Sequence, residues 1–219
     1  MPMRRRALLL LGASTLAVAW SGALTQFAPG SFSAHMTMHM GVVAVAAPTL
    51  ALGVAGGRLD PVRLAPRLFS PIPASVVELV VVWAWHTPAL HHAARHDPRA
   101  LAVEQATFLL SGLLVWLSAF GGDARRRGER AAGGVVAMLL TSMHMTLLGA
   151  LLALPPRPLF EHAHGGSWLT PLADQHLGGA IMLSVGGLVY LIAGLGLTTV
   201  LLRRGAGATA ADVAAGDPS

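Results

Sequence analysis

The feature that most constrains this chain is a series of apolar runs, each about 20 residues long, separated by short polar segments. A helix of that length crosses the roughly 30 Å hydrocarbon core of a bilayer. The runs do not alternate between apolar and polar residues, so they do not predict β-strands. Charged residues make up only 11% of the sequence, whereas a soluble domain carries about 25%. The sequence therefore predicts an all-α, polytopic membrane protein.

We assign these runs to one six-helix transmembrane bundle within residues 1–204. The predicted spans are residues 7–27, 34–54, 73–90, 100–120, 132–154 and 177–202. The first run follows an arginine triplet and has features of a signal peptide, but it is longer than a usual signal core. We expect it to be a retained helix. The segment 205–219 is rich in small and polar residues and is predicted to be a disordered cytoplasmic tail.

The basic residues predict the orientation of these spans. All 15 are arginines, and most of them lie on one side. That side carries Arg4, Arg5, Arg6, Arg58, Arg63, Arg67, Arg125, Arg126, Arg127, Arg130, Arg203 and Arg204, and the other side carries Arg95, Arg99 and Arg157. We expect the protein to lie in the plasma (inner) membrane. The positive-inside rule then places the arginine-rich side and both termini in the cytoplasm. The arginines flank spans and form no single stripe, so the expected partner is membrane lipid and not nucleic acid.

The histidines are distributed unevenly on this topology. None of the ten lies in a predicted cytoplasmic loop or in the tail. His144 lies deep in the fifth span, where a polar side chain is costly and marks a functional position by default. The histidines at the outer ends of spans indicate chemistry that faces the outside. Those of the outer loops fit ordinary polar loop residues, and they are His91, His92, His96, His162 and His164.

The second span begins with HMTMHM, residues 35–40. In a helix His35 and His39 share one face, and Met36 and Met40 share another that is rotated by about 100°. Imidazole suits Zn, Cu, Fe and Ni, and thioether sulfur selects Cu(I). The sequence has no cysteine, which excludes a thiolate site. This donor set favours copper. The alternatives are another metal or haem, and packing of the methionines as ordinary apolar side chains.

Other polar residues near the outer ends of spans extend this predicted metal site. Glu104 opens the fourth span. We expect its carboxylate to orient a metal-binding imidazole without binding the metal itself. Asp174 opens the last span, where it also fits a helix N-cap. The predicted metal-site residues are His35, His39, His86, Met36, Met40, His176, His144 and Asp174.

Four segments together resemble the CtaG/caa3-type cytochrome c oxidase assembly factors. They are HMTMHMGVVAVAAPTLALG (35–53), VVWAWHTPALHHAA (81–94), EQATFLLSGLLVW (104–116) and DQHLGGAIM (174–182), in the order that the family has them. The resemblance implies a membrane protein that matures a haem–copper oxidase by supplying copper, without being an enzyme. It also implies a partner, either an oxidase subunit or another copper chaperone. The motif residues it implies are His35, His39, His86, Asp174 and Gln175.

Two other functions remain open from the residues. A b-type membrane redox protein would bind haem between two histidines at matched depth, chosen from His39, His86 and His144. A copper transporter would need histidine and methionine steps that lead inward, and only Met138 continues the line from Met143. A zinc hydrolase is not favoured because no H-E-x-x-H motif is present.

Overall fold

The computed structural model describes residues 3–23, 28, 30–123, 127–160 and 169–215. All regular elements of these residues are helices. They are α1 (Met3–Trp20), α2 (Phe32–Val54, with a π-helical turn at Gly41–Ala46), α3 (Pro71–Trp85), α4 (Pro88–His96), α5 (Pro98–Phe120), α6 (Arg127–Ala153) and α7 (171–215, with a π-helical turn at Met182–Gly186). The all-α prediction is confirmed. His162 and His164 lie outside the described residues.

Four helices of the described residues are long and apolar enough to cross a membrane. They are Phe32–Val54, Pro98–Phe120, Arg130–Ala153 and Pro171–Arg203, and they coincide with four of the predicted spans. Helix α3 is apolar but shorter, and α1 begins with the arginine triplet. The chain is therefore a multi-pass membrane protein. The count of six spans stays a prediction.

The order of contacts between helices gives their relative directions. Asp174, in the first turn of α7, bonds the first turn of α2, and Tyr190 further along α7 bonds Val43 further along α2. These two helices therefore run parallel. Arg5, near the start of α1, instead donates to the Ala55 carbonyl just beyond α2, so α1 runs antiparallel to α2. By the same criterion α5 is parallel to α2, and α3 and α6 are antiparallel to α2.

The two ends of the bundle differ in composition. The first turns of α2, α5 and α7 meet the end of α3 and helix α4 at one end, which we call the histidine end. The side chains of Arg5, Arg63 and Arg130 bond loop atoms at the opposite end, which we call the arginine end. The start of α1 also lies at the arginine end.

The helices begin where local sequence favours a start. Proline occupies the first position of α3, α4, α5 and α7, where its missing N–H leaves no helical bond unmade. Ser31 caps α2, since its Oγ accepts from the Ala34 N–H at 3.2 Å. The carboxylate of Asp174 adds to this cap by accepting from the N–H groups of Phe32 (2.6 Å) and Ser33 (3.2 Å). The start of α2 is thus held by the start of α7.

Small residues and π-helical turns let α2, α6 and α7 pack closely. A Cβ atom on Gly149 of α6 would lie 2.6 Å from the Leu183 nitrogen, so only glycine fits at this crossing. The π-helical turns of α2 and α7 pack against each other. Beyond the π-helical turn of α7, the Tyr190 hydroxyl donates to Glu78 Oε1 at 2.5 Å and lies 3.3 Å from the Val43 carbonyl oxygen. The interior therefore carries a second polar contact, away from the histidine end.

Asp60 ties two loops together at the arginine end, and replacing it with alanine is expected to destabilise the bundle. Its carboxylate is buried and accepts from the backbone N–H groups of Gly56 (2.6 Å), Val62 (3.0 Å) and Gly122 (2.7 Å). Each bond to a charged acceptor contributes about 1.5 kcal/mol or more, but bonds to one carboxylate are not additive. We therefore expect Asp60→Ala to lower the free energy of unfolding by about 3 kcal/mol. Unfolding in mixed micelles, followed by tryptophan fluorescence, measures this loss. A loss below about 0.5 kcal/mol would contradict the assignment.

Helix α7 continues to Ala215, into the segment that composition predicts to be a disordered tail. Residues 205–215 are rich in alanine, which is the strongest helix former, and they follow the helix without a proline. Residues 216–219 lie outside the described part of the chain.

Candidate metal centre

Helices from across the chain bring titratable side chains together at the histidine end. Helix α2 supplies His35 and His39, one turn apart. His86 follows the last residue of α3, His91 lies on α4, and Glu104 lies on α5. All five side chains are buried, and their exposed fractions are 6% or less. We call these five residues the histidine cluster.

The outer part of the cluster is a group of three potential ligands. His35, His91 and Glu104 each offer one ligand atom, and these atoms all lie within 4.8 Å of one another. The distance from His35 Nε2 to Glu104 Oε1 is 3.6 Å. The rings of His35 and His91 meet edge to face, with centroids 5.1 Å apart. Since metal–nitrogen bonds are about 2 Å long, one ion can be held by donors at this spacing after small side-chain movements.

A network behind Glu104 fixes one of its oxygens and leaves the other towards the imidazoles. Oε2 accepts from Arg95 Nη2 at 2.9 Å and from Gln105 Nε2 at 3.1 Å. Trp20 of α1 donates to the Gln105 Oε1 at 3.3 Å, which ties α1 to this network. Burial lowers the pKa of the Arg95 guanidinium, but the adjacent Glu104 carboxylate favours its charged form. Arg95 therefore neutralises the charge of the buried carboxylate.

Aromatic rings cover the outer group. The rings of Phe32 and Phe160 are stacked with centroids 4.7 Å apart. His91 packs on both, at 5.4 Å from Phe32 and 4.5 Å from Phe160. Such a cover lowers the local dielectric, so electrostatic interactions within the outer group are stronger than they would be in water.

The inner part of the cluster is a pair of imidazoles beside one phenylalanine. The rings of His39 and His86 have centroids 5.2 Å apart, and Phe108 packs on His39 at 3.9 Å. His86 Nδ1 lies 2.6 Å from the Val82 carbonyl oxygen. Because a carbonyl only accepts, Nδ1 carries the proton and the lone pair of Nε2 is available to a ligand.

The unsatisfied atoms of the cluster fit a metal ion. Within the described part of the chain, several buried nitrogen and oxygen atoms that could bind a metal have no hydrogen-bond partner: His35 Nδ1, both ring nitrogens of His39, His86 Nε2 and Glu104 Oε1. Leaving such atoms unpaired in an apolar interior costs about 1–3 kcal/mol each. Four imidazoles and one carboxylate form a donor set that suits copper, zinc, iron or nickel.

The predicted methionines lie on a different face of α2 from the histidines. The Cγ of Met36 lies 2.9 Å from where a Cβ on Gly178 would be, and the Sδ of Met40 lies 3.3 Å from where a Cβ on Gly186 would be. Both glycines belong to α7, and both methionines are buried. Met36 and Met40 thus fill the interface between α2 and α7.

Replacing Met36 with leucine separates packing from metal binding. We expect Met36→Leu to change the free energy of unfolding by less than about 1.5 kcal/mol, because leucine nearly conserves the volume. The affinity for Cu(I) should stay within about twofold of wild type if the sulfur only packs. The measurement is competition with a chromogenic Cu(I) chelator. A drop of more than about tenfold would instead make the Met36 sulfur a ligand.

Three other residues from the predicted metal set have separate surroundings. His144 on α6 is buried, and within the described residues neither of its ring nitrogens has a hydrogen-bond partner. His176 Nε2 lies 2.9 Å from the Pro155 carbonyl oxygen. Asp174 accepts from backbone and hydroxyl groups of Ser31, Phe32 and Ser33. None of the three belongs to the group of His35, His91 and Glu104.

His91 and Glu104 lie closer to His35 than the sequence predicts. His91 was expected to be an ordinary loop residue, but α4 places it with Ala94 on the buried face of a short amphipathic helix. Glu104 is in helical register with Phe108, Ser111 and Val115, all of which are buried. The apolar residues at this spacing mark the inner face of α5, so the register of Glu104 was a usable signal.

Comparison with known proteins identifies the family of the chain. The family model described as cytochrome c oxidase caa3 assembly factor (Caa3_CtaG) matches residues 1–204, which include every helix that contributes to the histidine cluster. Among curated proteins and among solved structures, nothing matches the chain. The match covers almost the whole sequence, so the protein belongs to the caa3-type cytochrome c oxidase assembly factor family.

Proposed function

We propose that this assembly factor holds a copper ion in the histidine cluster and delivers it to its oxidase. The observation that carries the proposal is the convergence of His35, His91 and Glu104, whose ligand atoms lie within 4.8 Å of one another in a buried site. His39 and His86 would provide a second pair of donors one helical turn further in. Copper is the cargo in this proposal, and no catalytic step is assigned to the protein.

Charge balance supports Cu(I) over a divalent ion. The imidazoles of the cluster bind a metal in their neutral form, and the Glu104 carboxylate is already neutralised by Arg95. A bound ion therefore adds its full charge to a buried site. Burying a charge costs several kcal/mol, and this cost rises with the charge, so a monovalent ion is favoured.

We further propose that all of α1, α2, α3, α5, α6 and α7 cross the membrane, with both termini in the cytoplasm. Their alternating directions support this, because the parallel helices α2 and α7 require an odd number of membrane crossings between them. Helices α5 and α6 provide two long crossings, so α3 would provide the third. The arginine end would then face the cytoplasm, following the positive-inside rule. The histidine cluster would open towards the outside, where an oxidase subunit or a copper chaperone could reach it.

Metal analysis of the purified protein tests the proposal. Full-length protein in detergent is loaded with Cu(I) under reducing conditions, desalted and analysed for copper. We expect at least one copper ion per chain, and no bound copper would refute the proposed function. In a deletion strain, wild-type protein should restore oxidase activity. A Soret absorption band after haem supplementation would favour the redox alternative, and altered cytoplasmic copper with normal oxidase activity would favour transport.

A further inference from the structure

Helix α4 carries histidines on two different faces. His91 points into the histidine cluster, whereas His92 and His96 are exposed. Arg95, one turn after His91, reaches inward to Glu104. The buried face of α4 is thus part of the metal centre, and its exposed face carries two imidazoles that the centre does not use.

The exposed imidazoles are already side by side. His92 and His96 are one turn apart, and their rings are stacked with centroids 4.0 Å apart. His96 Nδ1 lies 2.8 Å from the His92 carbonyl oxygen, so Nδ1 carries the proton and Nε2 is left as the acceptor atom of the ring. Two imidazoles on adjacent turns of one helix face can chelate a single ion.

The surroundings of this pair favour an exchangeable ion. The site is exposed, so water can complete the coordination sphere, and a divalent ion is not penalised by burial as it would be in the cluster. Two nitrogen donors without a carboxylate or a thiolate bind copper or zinc weakly enough to release it. Such a site suits capture of an ion and not its storage.

We propose that His92 and His96 form an exposed metal-binding site on α4, and that Cu(I) captured there passes to the histidine cluster behind it without a change of oxidation state. The binding site stands on its own geometry. The transfer rests on the proposed function of the cluster.

Zinc binding tests the exposed site without depending on copper chemistry. Full-length protein in detergent is dialysed against Zn(II), and bound zinc is counted. We expect His92→Ala/His96→Ala to lose one zinc ion per chain, and each single substitution to weaken binding of that ion by about tenfold or more, because chelation needs both rings. The same amount and affinity of zinc in the double variant would overturn the proposal.

A relocated histidine provides the matched control. Leu90 is exposed, but it lies two residues from His92 and therefore on a different side of the helix. The variant Leu90→His/His96→Ala keeps the number of histidines and is expected to bind zinc as weakly as His96→Ala alone. Zinc binding restored to the wild-type level would show that spacing is irrelevant and would contradict a chelating pair.

The rate of copper loading tests the transfer. Cu(I) is supplied as its complex with a chromogenic chelator, and loss of colour is followed in time. We expect His92→Ala/His96→Ala to load at least about tenfold more slowly and to reach the same final copper content, since the buried donors are intact. An unchanged rate would overturn the transfer. If His35→Ala/His91→Ala/Glu104→Gln binds as much copper as wild type while the zinc result holds, the proposed function fails and the exposed site stands.

Discussion

Replacing both His35 and His91 with alanine is expected to weaken Cu(I) binding by more than about 100-fold. Changes around a metal's ligands alone commonly cost 10- to 100-fold in affinity, and this variant removes two of the three converging donors. The Glu104 carboxylate, with Arg95 beside it, would then be left as the only donor of the outer group. The measurement is competition with a chromogenic Cu(I) chelator, together with oxidase activity in a complemented deletion strain.

A buried histidine outside the cluster is the control for this variant. His144 is as buried as His35, with 2% of its surface exposed in each case. We expect His144→Ala to keep the copper affinity within about threefold of wild type, provided that its helical circular dichroism and its thermal melting match those of the wild type. Copper binding lost equally in both variants would mean that the ion does not sit where His35, His91 and Glu104 converge.

Replacing Asp174 with alanine is expected to lower the free energy of unfolding by about 3 kcal/mol. Its carboxylate accepts from Phe32 N (2.6 Å), Ser33 N (3.2 Å), Ser31 Oγ (2.9 Å) and Ser33 Oγ (2.5 Å). It is also a negative charge at the N-terminus of α2, where the helix dipole favours one. Caps and charge-assisted bonds of this kind contribute about 1–3 kcal/mol each, although their contributions are not additive. Unfolding in mixed micelles measures the loss.

The conservative variant shows whether the bonds or the charge matter. Asp174→Asn keeps an acceptor oxygen but removes the charge, so we expect roughly half the loss of Asp174→Ala. Because His35 lies in the first turns of α2, we also expect Asp174→Ala to weaken copper binding by about tenfold, through a frayed helix start. An unfolding free energy within about 0.5 kcal/mol of wild type would show that the cap is dispensable.

The membrane character of the fold was predictable because the bilayer sets a simple requirement of length and apolarity. The runs at 34–54, 100–120, 132–154 and 177–202 satisfy it, and the structure has helices there. The pairing of His35 with His39 was predictable for a similar reason, since helical spacing is local and fixed.

The partners of those histidines were not predictable, because they depend on how distant helices pack. Local spacing cannot tell that α4 folds back to place His91 beside His35. It also cannot show which face of α2 meets α7. Met36 and Met40 lie on that face and therefore pack between the two helices. Glu78 shows the same limit, since its partner Tyr190 lies 112 positions further along the chain.

The π-helical turn of α2 has a consequence for how far its contact face with α5 extends. His35 contacts Glu104, His39 contacts Phe108, and Ala47 lies 3.1 Å from where a Cβ on Gly112 would be. In an uninterrupted α-helix each four-residue step over-rotates by about 40°, so residue 47 would stand about 120° away from residue 35. The wider π-helical turn at Gly41–Ala46 accommodates about one extra residue, which offsets about 100° of this rotation. His35, His39 and Ala47 therefore all face α5. A one-residue deletion within that turn would change neither His35 nor His39. It would still rotate both histidines by about 100° relative to the inner half of the helix.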